Sequence, residues 1–267
     1  MRLLENFSLE LIKQYGISVP SYSVVSKPED AVSISEELGG QCVLKALVPT
    51  GKRGKSGAVK ILNSIDKVEE NASAIMNSKV GFFPVTQLIV MEKLDIIKEY
   101  FVSITFDSNS NSPIVLLSKN GGVDIEELAE NSPEVITQIP LNILKEYSIE
   151  DIHPNIICAG FEDKIASQIA TCILKLFSMF KKCDCRMIEI NPLVELENGK
   201  IVAASGVVTL DGQALFRQKK IKKFLRNDEG NGWRPLTDLE SKMKKIDEID
   251  PDVASIRFGE LEGEIGF

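Results

Sequence analysis

Residues 43–60 constrain this chain more than any other stretch: Val-Leu-Lys-Ala-Leu-Val-Pro-Thr-Gly-Lys-Arg-Gly-Lys-Ser-Gly-Ala-Val-Lys. An apolar run carrying Lys45 stops at Pro49. A loop holding Gly51, Gly54 and Gly57 follows, and a second apolar run covers Ala58 to Leu62. Five cations (Lys45, Lys52, Arg53, Lys55 and Lys60) fall within sixteen residues of a chain whose formal net charge is −8. Glycines let a backbone turn tightly and approach a ligand with free N–H groups aimed at it. Lysine and arginine beside such a loop suit phosphate oxygens. Gly54-Lys55-Ser56 invites comparison with a P-loop, but that motif needs glycine five positions before Gly54, where Pro49 stands. Its loop also opens a helix, whereas this one leads into a strand-like run. Taken alone, the stretch is either a phosphate cover between two strands or a basic surface hairpin.

At 267 residues the chain can bury a good core, as one large domain or two smaller ones. The negative net charge argues against a general nucleic-acid or membrane-surface role, so the basic loop is a local feature. No apolar run approaches a membrane span, and Met-Arg-Leu-Leu-Glu lacks the apolar core of a signal peptide. The five cysteines, 42, 158, 172, 183 and 185, are scattered, and there is one histidine, which argues against a zinc site. A reduced, cytoplasmic protein is expected.

Helical apolar spacing runs from Leu3 to Tyr15 and stops at Gly16. Tyr22–Val25 reads as a strand. Ser26-Lys-Pro-Glu29 reads as a capping box opening a helix to Leu38. Strands are expected at Cys42–Lys45, Ala58–Leu62 and Gln87–Met91, with a helix over Ile65–Met76. Tyr100–Phe106 and Ile114–Ser118 read as a hairpin. Asn120–Glu126 opens a short helix whose N–H groups face an anion or a neighbouring loop. A short helix is expected over Leu141–Tyr147, and the longest over Phe161–Phe180, with Ile165, Ile169, Cys172, Leu176 and Phe180 as its core stripe. Met187–Ile190 and Lys200–Ala203 read as strands flanking a turn at Asn198-Gly199. Lys219–Lys223 reads as a solvated helix face, Arg226–Gly232 as a linker and Leu236–Ile246 as a last helix.

Two further clusters could meet the basic loop. Glu92, Asp95 and Glu99 place three carboxylates between two strands, suited to ribose hydroxyls or to orienting a lysine. Glu189-Ile-Asn191-Pro192 ends a strand, and a glutamate and an amide oxygen two residues apart on one face supply hard oxygen ligands for Mg²⁺. In this order, glycine loop, carboxylate hinge and Glu-x-Asn describe a nucleotide held between two subdomains.

The chain resembles the ATP-grasp half of the β subunit of succinyl-CoA synthetase and its relatives, including ATP-citrate lyase, citryl-CoA synthetase and malate–CoA ligase. The resemblance rests on Lys45, Gly51–Gly57, Asp95-Ile-Ile-Lys-Glu99, Gly121-Gly-Val-Asp-Ile-Glu126, Glu189-Ile-Asn-Pro-Leu-Val194 and Asp211-Gly-Gln-Ala-Leu-Phe-Arg-Gln218. These pieces run colinearly along almost the whole chain. It implies an α+β, ATP-grasp fold, two subdomains clasping a nucleotide. The ATP-grasp domain would span residues 1–225, with a nucleotide-binding subdomain at about 20–98 and the remainder forming the second. Residues 226–267 would be a linker, a helix and, at Leu261–Gly266, the first strand of a CoA-ligase domain that is otherwise absent.

The mechanism it implies uses ATP or GTP with Mg²⁺. The γ-phosphoryl group passes to a histidine on a partner α-type subunit, and an acyl phosphate then forms at a distant site that binds CoA and the carboxylic acid. Carried over, Lys45, Lys52, Arg53 and Gly54 hold the phosphates, Glu92 and Glu99 the base and ribose side, and Asn191 the metal, while Glu189 receives the histidine. The histidine of this chain, His153, lies outside these motifs. The pattern breaks at Ser205, where the family carries a second, aspartate metal ligand; a neutral residue there deprives Mg²⁺ of a charged ligand. Lys52 replaces a glycine, and Asn120 stands where glutamate is frequent. These changes read either as tuning within an active acid–CoA ligase that is incomplete as a single chain, or as a non-catalytic or weakened nucleotide-binding or assembly paralogue. A different ATP-grasp ligase joining a carboxylate to an amine is a third reading, remote from the motif order.

Overall fold

A computed structural model describes residues 1–222 other than Lys52 and Lys55, together with residues 236–249 and 258–260. The chain opens with α1 (Glu5–Gln14), then β1 (Tyr22–Val25), α2 (Pro28–Glu37), β2 (Cys42–Ala46), β3 (Val59–Leu62), α3 (Val68–Met76), a small hairpin of β4 (Lys79–Val80) and β5 (Phe83–Pro84), and β6 (Leu88–Glu92). The four longer strands form an antiparallel sheet in the order β1-β6-β2-β3. Alternation along the strands divides its faces. Cys42, Leu44, Ala46, Leu88 and Val90 pack on α2 and α3 through Ala31, Val68, Ala72 and Ile75. Ile89 and Met91, with Val43 beside them, face the other way, onto Leu4 and Leu9.

Residues 93–95 lead into a second sheet. It contains β7 (Ile96–Asp107), β8 (Ser112–Ser118), β9 (Thr137–Pro140), β10 (Cys185–Leu196), β11 (Ile201–Ala203) and β12 (Val207–Leu210), in the order β11-β10-β7-β8-β9 with β12 also paired to β10. Between β8 and β9 lies α4 (Ile125–Asn131), and between β9 and β10 lie α5 (Ile149–Cys158) and α6 (Asp163–Lys182). Tyr100, Val102, Ile104, Ile188 and Ile190 meet Ile165, Ile169, Ile173 and Leu176 in the larger core. The other face of β7 and β10, carrying Ser103 and Glu189 opposite each other, looks toward the first sheet. Short helices α7 (Lys219–Lys222) and α8 (Asp238–Ile249) follow.

The N-terminal segment ties the two sheets together. Leu3 N–H donates to the Val208 carbonyl and Leu210 N–H to the Met1 carbonyl, fixing the start of the chain to β12. Leu11 and Ile12 of α1 enter the second core, while Leu4 and Leu9 cover the open face of the first sheet. No helix among the described residues is long and apolar enough to cross a membrane.

Several local expectations fail for identifiable reasons. The cap of α2 is Lys27, with Pro28 in the first turn and no side-chain cap bond, because Ser26 Oγ instead accepts a bond from Gln87 Nε2 at 3.2 Å. Leu141–Tyr147 is not helical. Asn142 Oδ1 takes the Leu144 N–H at 2.9 Å, and the Asn142 N–H donates to Tyr147 Oη at 2.8 Å, so a side chain competes with the helical ladder. The helix expected there begins later, as α5, where the Ser148 N–H donates to Asp151 Oδ2 at 2.8 Å. Proline inside α5 masks it in the sequence. The linker at Arg226–Gly232 and the strand at Leu261–Gly266 lie outside the described residues.

Candidate functional site

The glycine loop joins two strands, β2 and β3, and opens no helix, as its sequence requires. Its described part is a tight turn: Gly57 N–H donates to the Gly54 carbonyl, Ala58 N–H to the Arg53 carbonyl and Ser56 Oγ to the same carbonyl. Gly57 has φ +70°, a conformation that favours glycine. Lys52 and Lys55 lie outside the described residues.

Lys45 and Arg53 converge on one carboxylate that the sequence did not flag, Glu5 in the first turn of α1. Lys45 Nζ lies 3.1 Å from Glu5 Oε1 and also donates to the Ala204 carbonyl at 2.8 Å. Arg53 Nη1 binds Glu5 Oε2 and donates to the Ala46 carbonyl. The Glu5 side chain is 2% exposed. Burial alone would raise its pKa, but the charges of Arg53 and Lys45, with hydrogen bonds from Lys45 and Ser205, bring it down to about 2. Burial lowers the pKa of Lys45, and Glu5 opposes that shift. An acidic residue in a first helical turn ordinarily reads as a partner of the helix dipole, so nothing in the local sequence singled out Glu5.

Across the cleft, Glu189 stands on β10. Burial pushes its carboxyl above the usual range, Arg2 pulls it back, and the nearby charges of Glu126 and Asp124 push it further up. Arg2 is the second residue the sequence did not flag. It forms an isolated bridge with Thr209, and its guanidinium lies against the glycine loop, since a Cβ on Gly51 would sit 3.4 Å from Nη2. Lys45, Arg53, Arg2, Glu5, Glu189 and Ser205 thus form one constellation where the two sheets meet.

Strand register sets how far the remaining residues lie from it. Lys45 pairs with Ile89, three residues before Glu92, so it stands roughly 10 Å along the strand from the hinge at 93–95. Glu189 pairs with Ser103, four residues beyond Glu99, or roughly 13 Å. Glu99 is therefore a hinge-side residue, half-buried over Gly122, whose added Cβ would meet its Oε2. Glu92, at the end of β6, has a different setting. Its parity puts it with Leu88 and Val90 on the helix-packed face, and its Oε2 accepts the Ser21 N–H at 3.0 Å, whereas Met91 occupies the cleft face.

The donor set around the two expected metal ligands is poor in charge. Asn191 Oδ1 accepts the Gly122 N–H at 2.8 Å and its Nδ2 donates to the Val123 carbonyl at 3.0 Å, so the amide clamps the loop before α4. Ser205 lies close enough to Glu5 to help lower its pKa. The cation Arg2 stands beside Glu189, and among the described residues no three His, Cys, Asp or Glu side chains gather as a metal site. Mg²⁺ ordinarily takes one or two carboxylates plus phosphates. These residues do not build a protein-held site for it. His153, on α5 behind the second sheet, has its Nε2 3.2 Å from Asp163 Oδ1 and does not reach the cleft.

Comparisons with known proteins bear on the family and the fold. The chain is 31% identical, over its whole length and 66% of the relative's, to a succinate–CoA ligase [ADP-forming] subunit β from Rubrobacter xylanophilus. It is 35% identical over 84% of its length and 59% of the relative's to a succinate–CoA ligase [GDP-forming] subunit β from Thermus thermophilus. The chain therefore spans about two thirds or less of these relatives. Among solved structures, an ATP citrate lyase from Methanothrix soehngenii in complex with citrate and coenzyme A superposes with a TM-score of 0.68 at 19% identity, covering 93% of this chain and 60% of that one, which speaks to fold alone. The ATP-grasp domain model matches residues 2–195, and the chain belongs to that family.

Proposed function

We propose that the chain is the nucleotide-binding, ATP-grasp portion of a nucleoside-triphosphate-dependent acyl-CoA synthetase. It would transfer the γ-phosphoryl group to a histidine on a partner α-type subunit, on the way to an acyl phosphate and an acyl-CoA. The observation that carries this reading is the convergence of Lys45 and Arg53, from the glycine loop and its strand, with Glu189 from the other sheet. The nucleotide is ATP or GTP, since the relatives include ADP-forming and GDP-forming ligases. Its base and ribose lie toward Glu99 and the hinge, and its phosphates toward Lys45, Arg53 and the Gly54 backbone.

Lys45 has one N–H beyond its bonds to Glu5 and Ala204, and Arg53 has further N–H donors beyond Nη1, so both can take phosphate oxygens without leaving Glu5. Glu189 accepts the N–H of the incoming imidazole, which leaves the other ring nitrogen unprotonated to attack. The bridging P–O bond breaks, a P–N bond forms, and the nucleoside diphosphate departs. Mg²⁺, where it accompanies the nucleotide, supplies charge neutralisation; the protein's own part is to fix the phosphates and the imidazole.

The test is to mix the chain with its cognate α-type subunit and γ-labelled ATP or GTP. Label should appear on a histidine of that subunit. Stable label on His153, or turnover of acid and CoA by this chain alone, would overturn the reading. Ser205, neutral beside Glu5 where a charged ligand would stand, favours a second reading, a nucleotide-binding paralogue with weakened transfer. Nucleotide binding without label on the partner selects it.

A further inference from the structure

We infer that Arg2 is a phosphate-binding residue of this cleft, supplying from the N-terminal segment the positive charge that the site does not recruit through a protein-held metal. The inference rests on the nucleotide reading above. Lys45 and Arg53 already share the buried carboxylate of Glu5, so their charge is partly spent before any ligand arrives. Arg2 is different. Among the described residues its guanidinium makes no hydrogen bond and no ion pair within 4.0 Å, although it is half-buried. The charges around it are Glu189 and Glu5, which attract it, and Arg53, which repels it.

Two arginines and a lysine thus meet around a glycine turn, and one of the arginines has its planar fork unused. A guanidinium in that state suits the paired oxygens of a phosphoryl group. Geometry places it for the task. The backbone of Arg2 is held on Thr209 of β12, the strand that pairs with β10 beside Glu189, and its Nη2 reaches the backbone at Gly51. A group bound between Gly51 and Glu189 therefore meets Arg2. A divalent cation in the same place would face that positive charge and find Asn191 Oδ1 already accepting the Gly122 N–H.

Calorimetric titration of the full chain with ATP and with GTP, each in EDTA and in MgCl₂, tests this. One of the nucleotides should bind in EDTA nearly as well as in MgCl₂. Arg2→Ala should weaken that binding by about tenfold or more, with Arg2→Lys falling between because it keeps the charge and loses the fork. The loss should persist when Arg2→Ala is combined with Glu189→Gln and compared with Glu189→Gln alone. If it vanishes in that background, Arg2 acts only as the counter-charge of Glu189 and the inference fails. Binding that requires MgCl₂ also overturns it while leaving the nucleotide reading intact. No binding of either nucleotide under either condition overturns both. Thermal unfolding of Arg2→Lys, with a midpoint like that of the unsubstituted chain, assigns its loss to contact and not to misfolding.

Discussion

The two walls of the cleft have opposite electrostatic states. On the first-sheet side, Lys45 and Arg53 are cations whose counter-charge, Glu5, is built in and buried. On the second-sheet side, Glu189 is a carboxylate held by burial above its usual pKa, with Arg2 facing it and the charges of Asp124 and Glu126 working against it. The first wall holds a buried anion against its two cations and keeps one net positive charge, whereas the carboxylate of the second is disfavoured by burial and by its acidic neighbours. The first wall is suited to phosphates, and the second to exchanging charge and protons with an incoming group.

The contrast breaks most visibly at Glu5. Replacing it with glutamine leaves buried Lys45 and half-buried Arg53 without their anion, so Glu5→Gln should cost about 3–5 kcal/mol in chemical denaturation at pH 7. The pH dependence has a definite sign. The folded-state pKa is depressed from 4.5 to about 2, so the stabilisation is fully present above 4.5 and is lost as pH falls from there through about 2. In Glu5→Gln that acid loss should flatten. Glu189 runs the other way. Its raised pKa means that the fold prefers the protonated form, and stability is lost as pH rises from 4.5 through the raised value. Glu189→Gln should therefore leave stability at pH 7 unchanged or higher while abolishing label transfer to the partner. Equal destabilisation by the two glutamine variants would erase the distinction between the walls.

Lys45→Ala comes next. It removes charge-assisted bonds worth roughly 1.5–3 kcal/mol, a tenfold or greater loss of nucleotide affinity by calorimetry. Unchanged affinity would remove Lys45 from the phosphate site and leave it as a partner of Glu5 only.

How much of this was legible in the sequence follows from how local each signal is. Tyr22–Val25, the stripe of α6 and the glycine loop between strands depend on near neighbours, and their periodicities or turn residues reveal them. Lys45, Arg53 and Glu189, which the structure brings together, could be picked out because each sits in a short motif. Glu5 and Arg2 could not. They act on partners at least 40 residues away, Glu5 on Lys45 and Arg2 on Glu189, and only the pairing of Leu3 and Met1 with β12 brings them there. Glu92 and Met91 show a finer limit. Which of two adjacent strand residues faces a cleft is decided by register, and a one-residue error changes the face.

The smallest expected effects distinguish two glycines. Gly121 is enclosed: an added Cβ would collide with the Tyr100 carbonyl oxygen, a backbone atom that cannot swing aside. Gly121→Ala should cost about 1–3 kcal/mol of stability and shift the loop clamped by Asn191. Gly54 is open. Nothing lies within 4 Å of the Cβ it would gain, and its φ is not positive, so Gly54→Ala should change stability by no more than about 0.5 kcal/mol. If its backbone approaches a phosphate, the same methyl group stands between loop and ligand, and affinity should fall although the melting curve does not move. Titration of the variant with ATP and GTP beside a thermal melt separates the two effects. A loss of affinity at unchanged stability places the turn against the ligand. Full affinity with full stability would return residues 51–57 to a basic surface hairpin, leaving Lys45 and Arg53 to hold the phosphates from the strand side alone.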